Sequence, residues 1–397
     1  MRMARRRARV CTASRSNRSR HAGAPRRQAV AGALPCPADL DVPHPSESEA
    51  RRMTANPSAP RRTTAEEPSM PDRGLHSPGM RDFGPAEMRR FRAVERRFLD
   101  AVEGAGYLEI RTPTIEPLHL YTAAGTLSPQ ALERVYSFLD WDGWSGERVV
   151  LRPDATVAAA RWYADAVRAG GSSTARVAYV APVYRFAVDG DREVWQCGVE
   201  LFGPAAAEGD AELLTLAATF LRGLSGGDFT VDLAHAGLVR AAFAAAGLSP
   251  TQQVEAYDLM LEGDAGVTER LAQAHPDQAA SLRLLTGVDG ASAGYIQNLR
   301  AAMLATVPAA AAPIDDLART AAALDGTGVP YRVLAATARN FEYYSGVTFR
   351  FRQGSGTDGR TLLGGGRYDG LTQTLGGAAA PACGWGADLL RLAEVAS

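Results

Sequence analysis

Apolar positions recur in two rhythms along this chain, and the changes of rhythm mark out its elements. Phe91, Val94, Phe98 and Val102 fall every three or four residues, the period of a helix with one buried face. Pro85 suits the first turn, and Gly104-Ala-Gly106 ends the run. Leu108-Glu-Ile-Arg-Thr-Pro113 reads as a strand that reaches an edge or interface position at its proline. Val149 to Thr156 predicts a strand and turn, followed by a helix from Val157 to Val167. Val177–Phe186 and Glu193–Phe202 are β-rich runs joined by a polar connection, which by composition and spacing is a hairpin. Leu213, Leu214, Ala217, Phe220 and Leu221 return to helical spacing, and Phe229 to Leu233 is a short strand. Four or five Ala/Leu-rich helices come next. Strands resume at Tyr331–Ala335, Gly346–Phe351 and Arg360–Gly364, and a last helix is expected from about Ala387 to the end. The pattern predicts an α+β fold with a largely antiparallel sheet flanked by helices. Its core would comprise residues 76–209 and 331–397, with 210–330 a mainly helical insertion.

Composition removes several alternatives. At 397 residues and 46% hydrophobic content the chain can bury a large core. No window approaches the roughly 18 uninterrupted apolar residues of a membrane span, so no membrane association is expected. Cys11, Cys36, Cys197 and Cys383 lie far apart, without the clustering of a metal site or disulfide framework, which fits a reducing cytoplasm. All 43 basic residues are arginines, which excludes a lysine nucleophile, a lysine Schiff base and a Walker-type phosphate loop.

The net charge of −1 conceals two unlike parts. Residues 1–75 carry 15 arginines against 7 acids, and the remainder 28 against 37. The tail has no apolar periodicity and is expected to be disordered. A targeting peptide, a nucleic-acid-binding arm, or upstream sequence ahead of a later start at Met53, Met70 or Met80 would each account for it; heavy Ala/Arg/Gly usage without lysine favours the last. The acidic body would repel a phosphate backbone, so no nucleic-acid partner is expected.

A pocket for a free amino acid needs acceptors for its ammonium group, a cation for its carboxylate, and polar and aromatic partners for its side chain. Asp154 and Thr156 in Arg-Pro-Asp-Ala-Thr, with Gln196 and Glu200 in Gln-Cys-Gly-Val-Glu, supply acceptors; strand alternation puts Gln196, Gly198 and Glu200 on one face. Arg339, Tyr343 and Tyr344 stand in Arg339-Asn-Phe-Glu-Tyr-Tyr-Ser-Gly346, and Tyr368 in Gly364-Gly-Gly-Arg-Tyr-Asp-Gly-Leu371. Gly384-Trp-Gly-Ala-Asp-Leu-Leu-Arg391 follows. Alone, each block is weak; a Tyr-Tyr pair or a triple glycine is more often packing than chemistry.

In this order, five blocks across about 310 residues resemble the catalytic core of histidyl-tRNA synthetases, class II aminoacyl-tRNA synthetases. The resemblance implies a class II fold and a homodimer formed through Leu108–Pro113. It implies that Asp154, Thr156 and Gln196 hold the ammonium group of histidine while Glu200 and Tyr344 flank the imidazole. Arg339 matches the family's catalytic arginine, and Arg185 and Arg391 match arginines that contact ATP phosphates.

The departures fall on the ATP side. Ala187 stands where a glutamate accepts from the adenine amino group, and the loop after it is a short acidic Val188-Asp-Gly-Asp-Arg-Glu193. Carboxylates beside a polyphosphate remove several kcal/mol of stabilisation. Asp154 shortens the usual glutamate, Asn340 replaces a glycine, and Asp388-Leu-Leu-Arg replaces Gly-Leu-Glu-Arg. Six residues follow Arg391, where the synthetases continue into an anticodon-binding domain.

Retention on the histidine side with loss on the ATP side is similar to the regulatory subunits of ATP phosphoribosyltransferase, paralogues of the synthetases. This resemblance implies no catalysis, no cofactor and no metal. It implies a short-form catalytic partner in the first step of histidine biosynthesis, histidine as a ligand in feedback, and a homodimer within a hetero-octamer. Arg185 and Arg391 would then be vestiges of an ATP site. Whether histidine sits in the synthetase-like pocket or at the partner interface stays open. Two other functions compete: a tRNA-independent amino-acid adenylating enzyme, and a module that binds uncharged tRNA through its basic tail.

Overall fold

In a computed structural model, residues 76–396 are described apart from 125–131, 133, 142, 188–189, 226–227, 262–263, 265, 288, 291, 335–342 and 355–358. The expected disordered tail, 1–75, lies outside the described residues. In chain order the elements are α1 (Pro85–Gly104), β1 (Leu108–Glu109), β2 (Ile115–Pro117), α2 (Leu118–Ala123), β3 (Ser137–Trp141), β4 (Gly146–Leu151), α3 (Thr156–Arg168), β5 (Ala175–Tyr184) and β6 (Glu193–Phe202). Then come α4 (Ala206–Ser225), β7 (Phe229–His235), α5 (Ala236–Ala245), α6 (Pro250–Leu261), α7 (Val267–Ala274), α8 (Ala279–Gly287), β8 (Asp289–Gly290), α9 (Ala293–Leu304) and α10 (Ala311–Thr327). The chain closes with β9 (Tyr331–Leu334), β10 (Val347–Gln353), β11 (Thr361–Arg367), α11 (Leu371–Thr374), β12 (Ala382–Asp388) and α12 (Leu389–Val395).

Nine strands form one sheet in the order β1-β5-β6-β12-β11-β10-β7-β9-β8, and β2-β4-β3 form a second. Within the large sheet β1/β5 and β7/β9 are parallel and the other pairs antiparallel. β12 corrects the expected course of the chain, since 382–388 is a strand and the last helix starts only at Leu389. Two glycines argue locally against a strand, but their absent side chains are what lets β12 pass under Gln196 and Glu200. The segment 210–330 supplies β7 to the interior of the sheet and the short edge strand β8, with helices filling the rest from Ala236 onward.

The sheet has one greasy face and one bare face, and strand alternation produces both. Cys197, Val199 and Leu201, Cys383 and Trp385, Leu363, Phe349, Phe351, Val231 and Leu233 all point to one side and are buried. α1, α4, α10 and α12 cover them. Trp385 stacks on Phe220 at 6.0 Å and meets Phe98 edge-on at 5.9 Å. Phe91, Val94, Phe98 and Val102 are the buried stripe of α1, as their spacing predicts, and burying each side chain stabilises by roughly 2 kcal/mol. Pro85 opens that helix, with the Glu87 carboxylate accepting from the Gly84 N–H at 3.2 Å.

On the opposite side the register aligns Glu200 with Gly384 and Gly366, and Gly198 with Gly386 and Gly364. Five glycines on three adjacent strands therefore make a floor without side chains. α3 covers one end of this face, where Tyr163 stacks on Phe202 at 4.3 Å.

Candidate functional site

The site is assembled over the glycine floor by the β4–α3 turn, β5, β6, the residues just before β10, and the end of β11. Glu200 is 0% exposed, near the end of β6. Tyr179 Oη, one strand away, donates to its Oε1 at 3.0 Å, and the Tyr368 hydroxyl donates to Oε2. Thr156 Oγ1 is 3.3 Å from Tyr179 Oη, extending the chain of hydroxyls to the start of α3. Burial pushes the Glu200 carboxyl up to about 8, against the pull of the Tyr368, Thr156 and Tyr179 hydroxyls. Burial likewise raises Tyr179, Tyr343, Tyr344 and Tyr368 above the usual phenol range. Below pH 8 the centre of the site is therefore a neutral acid ringed by neutral phenols.

The β4–α3 turn is fixed by its own polar groups. Asp154 Oδ1 accepts from the Thr156 N–H at 2.7 Å, an Asx turn, and Gln196 Oε1 accepts from the Ala155 N–H at 3.2 Å. Tyr121 Oη donates to the Asp154 carbonyl at 3.0 Å. The β4–α3 turn thus brings Asp154 and Thr156 to Gln196, and Thr156 reaches Glu200 through Tyr179.

Three tyrosines wall the other side. The Tyr343 ring stacks on Tyr368 at 5.0 Å and meets Tyr344 edge-on at 4.9 Å. Tyr343 Oη is buried and has no hydrogen-bond partner among the described residues, a donor left open beside Glu200. Arg339 and Asn340 lie outside the described residues.

Beside this cage opens a cavity of about 300 Å³ lined by Arg185, Gln196, Gly364, Gly386, Asp388 and Arg391, among others. Neither arginine presents a bare charge to it. Arg185 Nε donates to the Pro153 carbonyl at 2.6 Å and Nη2 to Asp154 Oδ2 at 3.4 Å. Arg391 Nε lies 3.2 Å from Asp388 Oδ2, while Asp388 Oδ1 caps α12 through the Leu390 and Arg391 N–H groups. The Ala187 carbonyl accepts from Arg192 Nε at 2.7 Å, and Arg192 lies over the Phe186 ring; Val188 and Asp189 are outside the described residues.

Tyr179, Arg240 and Arg367 escaped the sequence reading. Tyr179 is opposite Gly198 in the hairpin register, and a Cβ there would come within 2.6 Å of the Tyr179 Cζ; pairing the two β-rich runs residue by residue would have exposed it. Arg240 Nη2 donates to the Tyr344 carbonyl at 2.6 Å from α5, with no local signal to announce it. His235 Nδ1 accepts from the Gly237 N–H at 3.0 Å, and its Nε2 lies 3.3 Å from Asp316 Oδ2. Among the described residues no group of three or more His, Cys, Asp or Glu could hold a metal ion, and no helix is long and apolar enough to cross a membrane.

Residues 79–392 match the family described as histidyl-tRNA synthetase. An ATP phosphoribosyltransferase regulatory subunit from Dehalococcoides mccartyi is 42% identical over 316 residues, 79% of this chain and 75% of that one. A histidine–tRNA ligase from Methanosphaerula palustris is 33% identical over 314 residues, 77% of this chain and 71% of that one. A solved structure from Bacillus halodurans, described as an ATP phosphoribosyltransferase regulatory subunit/histidyl-tRNA synthetase, superimposes with a TM-score of 0.71 at 25% identity over 83% of this chain and 84% of its own.

Proposed function

Because the chain belongs to the histidyl-tRNA synthetase family and, within it, to the ATP phosphoribosyltransferase regulatory subunits, we infer that it serves histidine biosynthesis as a non-catalytic regulatory subunit on a class II synthetase-like fold. Such a subunit acts through a catalytic partner, here the short form of the transferase, which this chain activates in the cytoplasm. A homodimer within a hetero-octamer is the assembly we propose. Leu108 on the edge strand β1, 72% exposed, and Ile115 supply apolar surface for a second copy to cover.

One observation carries the reading at the level of the site. The histidine half is assembled around Glu200, while Arg185 and Arg391 of the ATP half are already paired with Asp154 and Asp388 of the same chain. The two pairs are exposed and weak, but they set a carboxylate beside each arginine, and a carboxylate there repels a polyphosphate. Histidine would place its ammonium group at Asp154, Thr156 and Gln196 and its imidazole against Glu200 and Tyr344, with Tyr343 Oη free to donate to it and Arg339 left for the carboxylate. Since Glu200 is fully enclosed, the imidazole must displace a tyrosine hydroxyl from it. A difference of about 1 to 3 kcal/mol in histidine affinity between two assembly states would carry feedback.

The test is to purify the chain with a short-form catalytic subunit and measure phosphoribosyl-ATP formation with and without histidine. Stimulation by the chain, reversed by histidine, is expected; absence of stimulation refutes the regulatory role. Histidine-dependent exchange of labelled pyrophosphate into ATP by the chain alone would establish the competing adenylating activity instead.

A further inference from the structure

The tyrosine cage is held from behind the sheet. Arg367 ends β11 with its side chain on the helix-covered face and only 3% exposed, while Tyr368, the next residue, turns into the cage. The guanidinium binds the first turn of α4. Its Nε donates to Asp210 Oδ1 at 3.0 Å, with Nη2 2.8 Å from the same oxygen, and Nη2 also donates to the Ala206 carbonyl at 3.2 Å. Its remaining nitrogen, Nη1, donates to Asp369 Oδ1 at 2.8 Å.

Asp369 carries the connection forward. Its Oδ1 also accepts from the Ala382 N–H at 2.9 Å, its Oδ2 accepts from Ser345 Oγ at 3.3 Å, and its own N–H donates to Ser345 Oγ at 2.9 Å. The Ser345 N–H in turn donates to the Arg367 carbonyl at 2.8 Å. Ser345 follows Tyr343 and Tyr344, so one ion-paired cluster fixes both segments that bring tyrosines to the site. Two glycines make room for it. A Cβ on Gly346 would lie 3.0 Å from Arg367 Cδ, and one on Gly209 would lie 3.0 Å from Arg367 Nη2.

We propose that Arg367, anchored on Asp210 and acting through Asp369 and Ser345, is a positioning residue that sets the geometry of the Tyr343–Tyr344–Tyr368 cage and makes its ligand affinity depend on where α4 sits. A charge held by two carboxylates in fixed places has one low-energy position, and a displaced α4 would move that position and the tyrosines with it. The proposal deepens the histidine-binding reading and rests on it for the identity of the ligand, though not for the positioning itself.

The test uses the full chain with Asp369→Asn, Ser345→Ala and Asp210→Asn, reading amide hydrogen exchange by peptide and histidine binding by calorimetry. Asp369 is 44% exposed and Ser345 lies at the surface, so Asp369→Asn and Ser345→Ala disturb the core least. Exchange across 343–347 and 366–370 is expected to quicken by about tenfold or more while α9 and α10 keep their protection, and histidine affinity to weaken about tenfold. Unchanged exchange at 343–347 in all three variants overturns the positioning role, as does equal loosening of α9 and α10, which would mark a general loss of stability. If the wild-type chain binds no histidine, the ligand assignment fails while the exchange result still decides the positioning claim.

Discussion

Glu200→Gln is the most exacting perturbation of this site, because it removes the ionisable proton without removing the shape. With its carboxyl pushed up to about 8 in the folded chain against 4.5 for an ordinary glutamate, Glu200 is protonated in the native state over a range where the unfolded chain has released the proton. The folded protein then binds more protons than the unfolded one, so stability falls as pH rises through that window. Each pH unit between the two values costs about 1.4 kcal/mol, so from about pH 5.5 to about pH 8 the contribution lost is on the order of 3 kcal/mol. Burial is complete, so solvent screening does not reduce it. Urea unfolding of wild type and Glu200→Gln at several pH values across this range should give curves that diverge, with wild type losing stability relative to the variant as pH rises. Parallel curves would refute the reasoning, since they would mean that Glu200 ionises in the ordinary carboxylate range despite its enclosure.

Tyr179→Phe removes one hydroxyl that favours the charged form of Glu200 and should raise the pH midpoint of that stability loss further, at a cost of about 1 to 2 kcal/mol by urea unfolding. Gly384→Ala places a methyl group against Glu200 Oε2 and within 2.6 Å of the Val199 carbonyl; a loss of about 3 kcal/mol or failure to fold is expected by thermal unfolding. Trp385→Ala empties the centre of the helix-covered face and should cost about 3 to 5 kcal/mol in the same assay. Arg152→Ala leaves the Thr112, Pro113 and Pro182 carbonyls without their buried donor, for a loss of roughly 3 kcal/mol measured by urea unfolding.

Elements with one buried face and a regular period were legible in the sequence. α1 announces itself through four apolar residues and a proline, and the β5–β6 hairpin through two apolar runs and a polar connection. β12 was not legible, because Gly384 and Gly386 lower strand propensity and Leu389–Leu390 suggest a helix that begins too early. There the tertiary demand for a backbone that can lie under two long polar side chains overrides the local preference. At the site, the alternation of Gln196, Gly198 and Glu200 declares a common face, since period two needs no partner strand to interpret it. Contacts between distant segments leave no such trace: Arg367 and Asp210 lie 157 residues apart, and His235 and Asp316 lie 81 apart.

The glycine floor has a consequence for how such a site can be lost. A floor without side chains stores its specificity in alignment, in which glycine faces which polar residue across three strands. Sliding β12 by one residue would swap Trp385 for Gly384 beneath Glu200, bury the indole in the cage and strip the core in the same step. The large apolar residues behind the floor resist that slip. Single substitutions at the rim should therefore erode the site gradually, whereas a one-residue deletion inside β12, between Cys383 and Ala387, should abolish site and fold together.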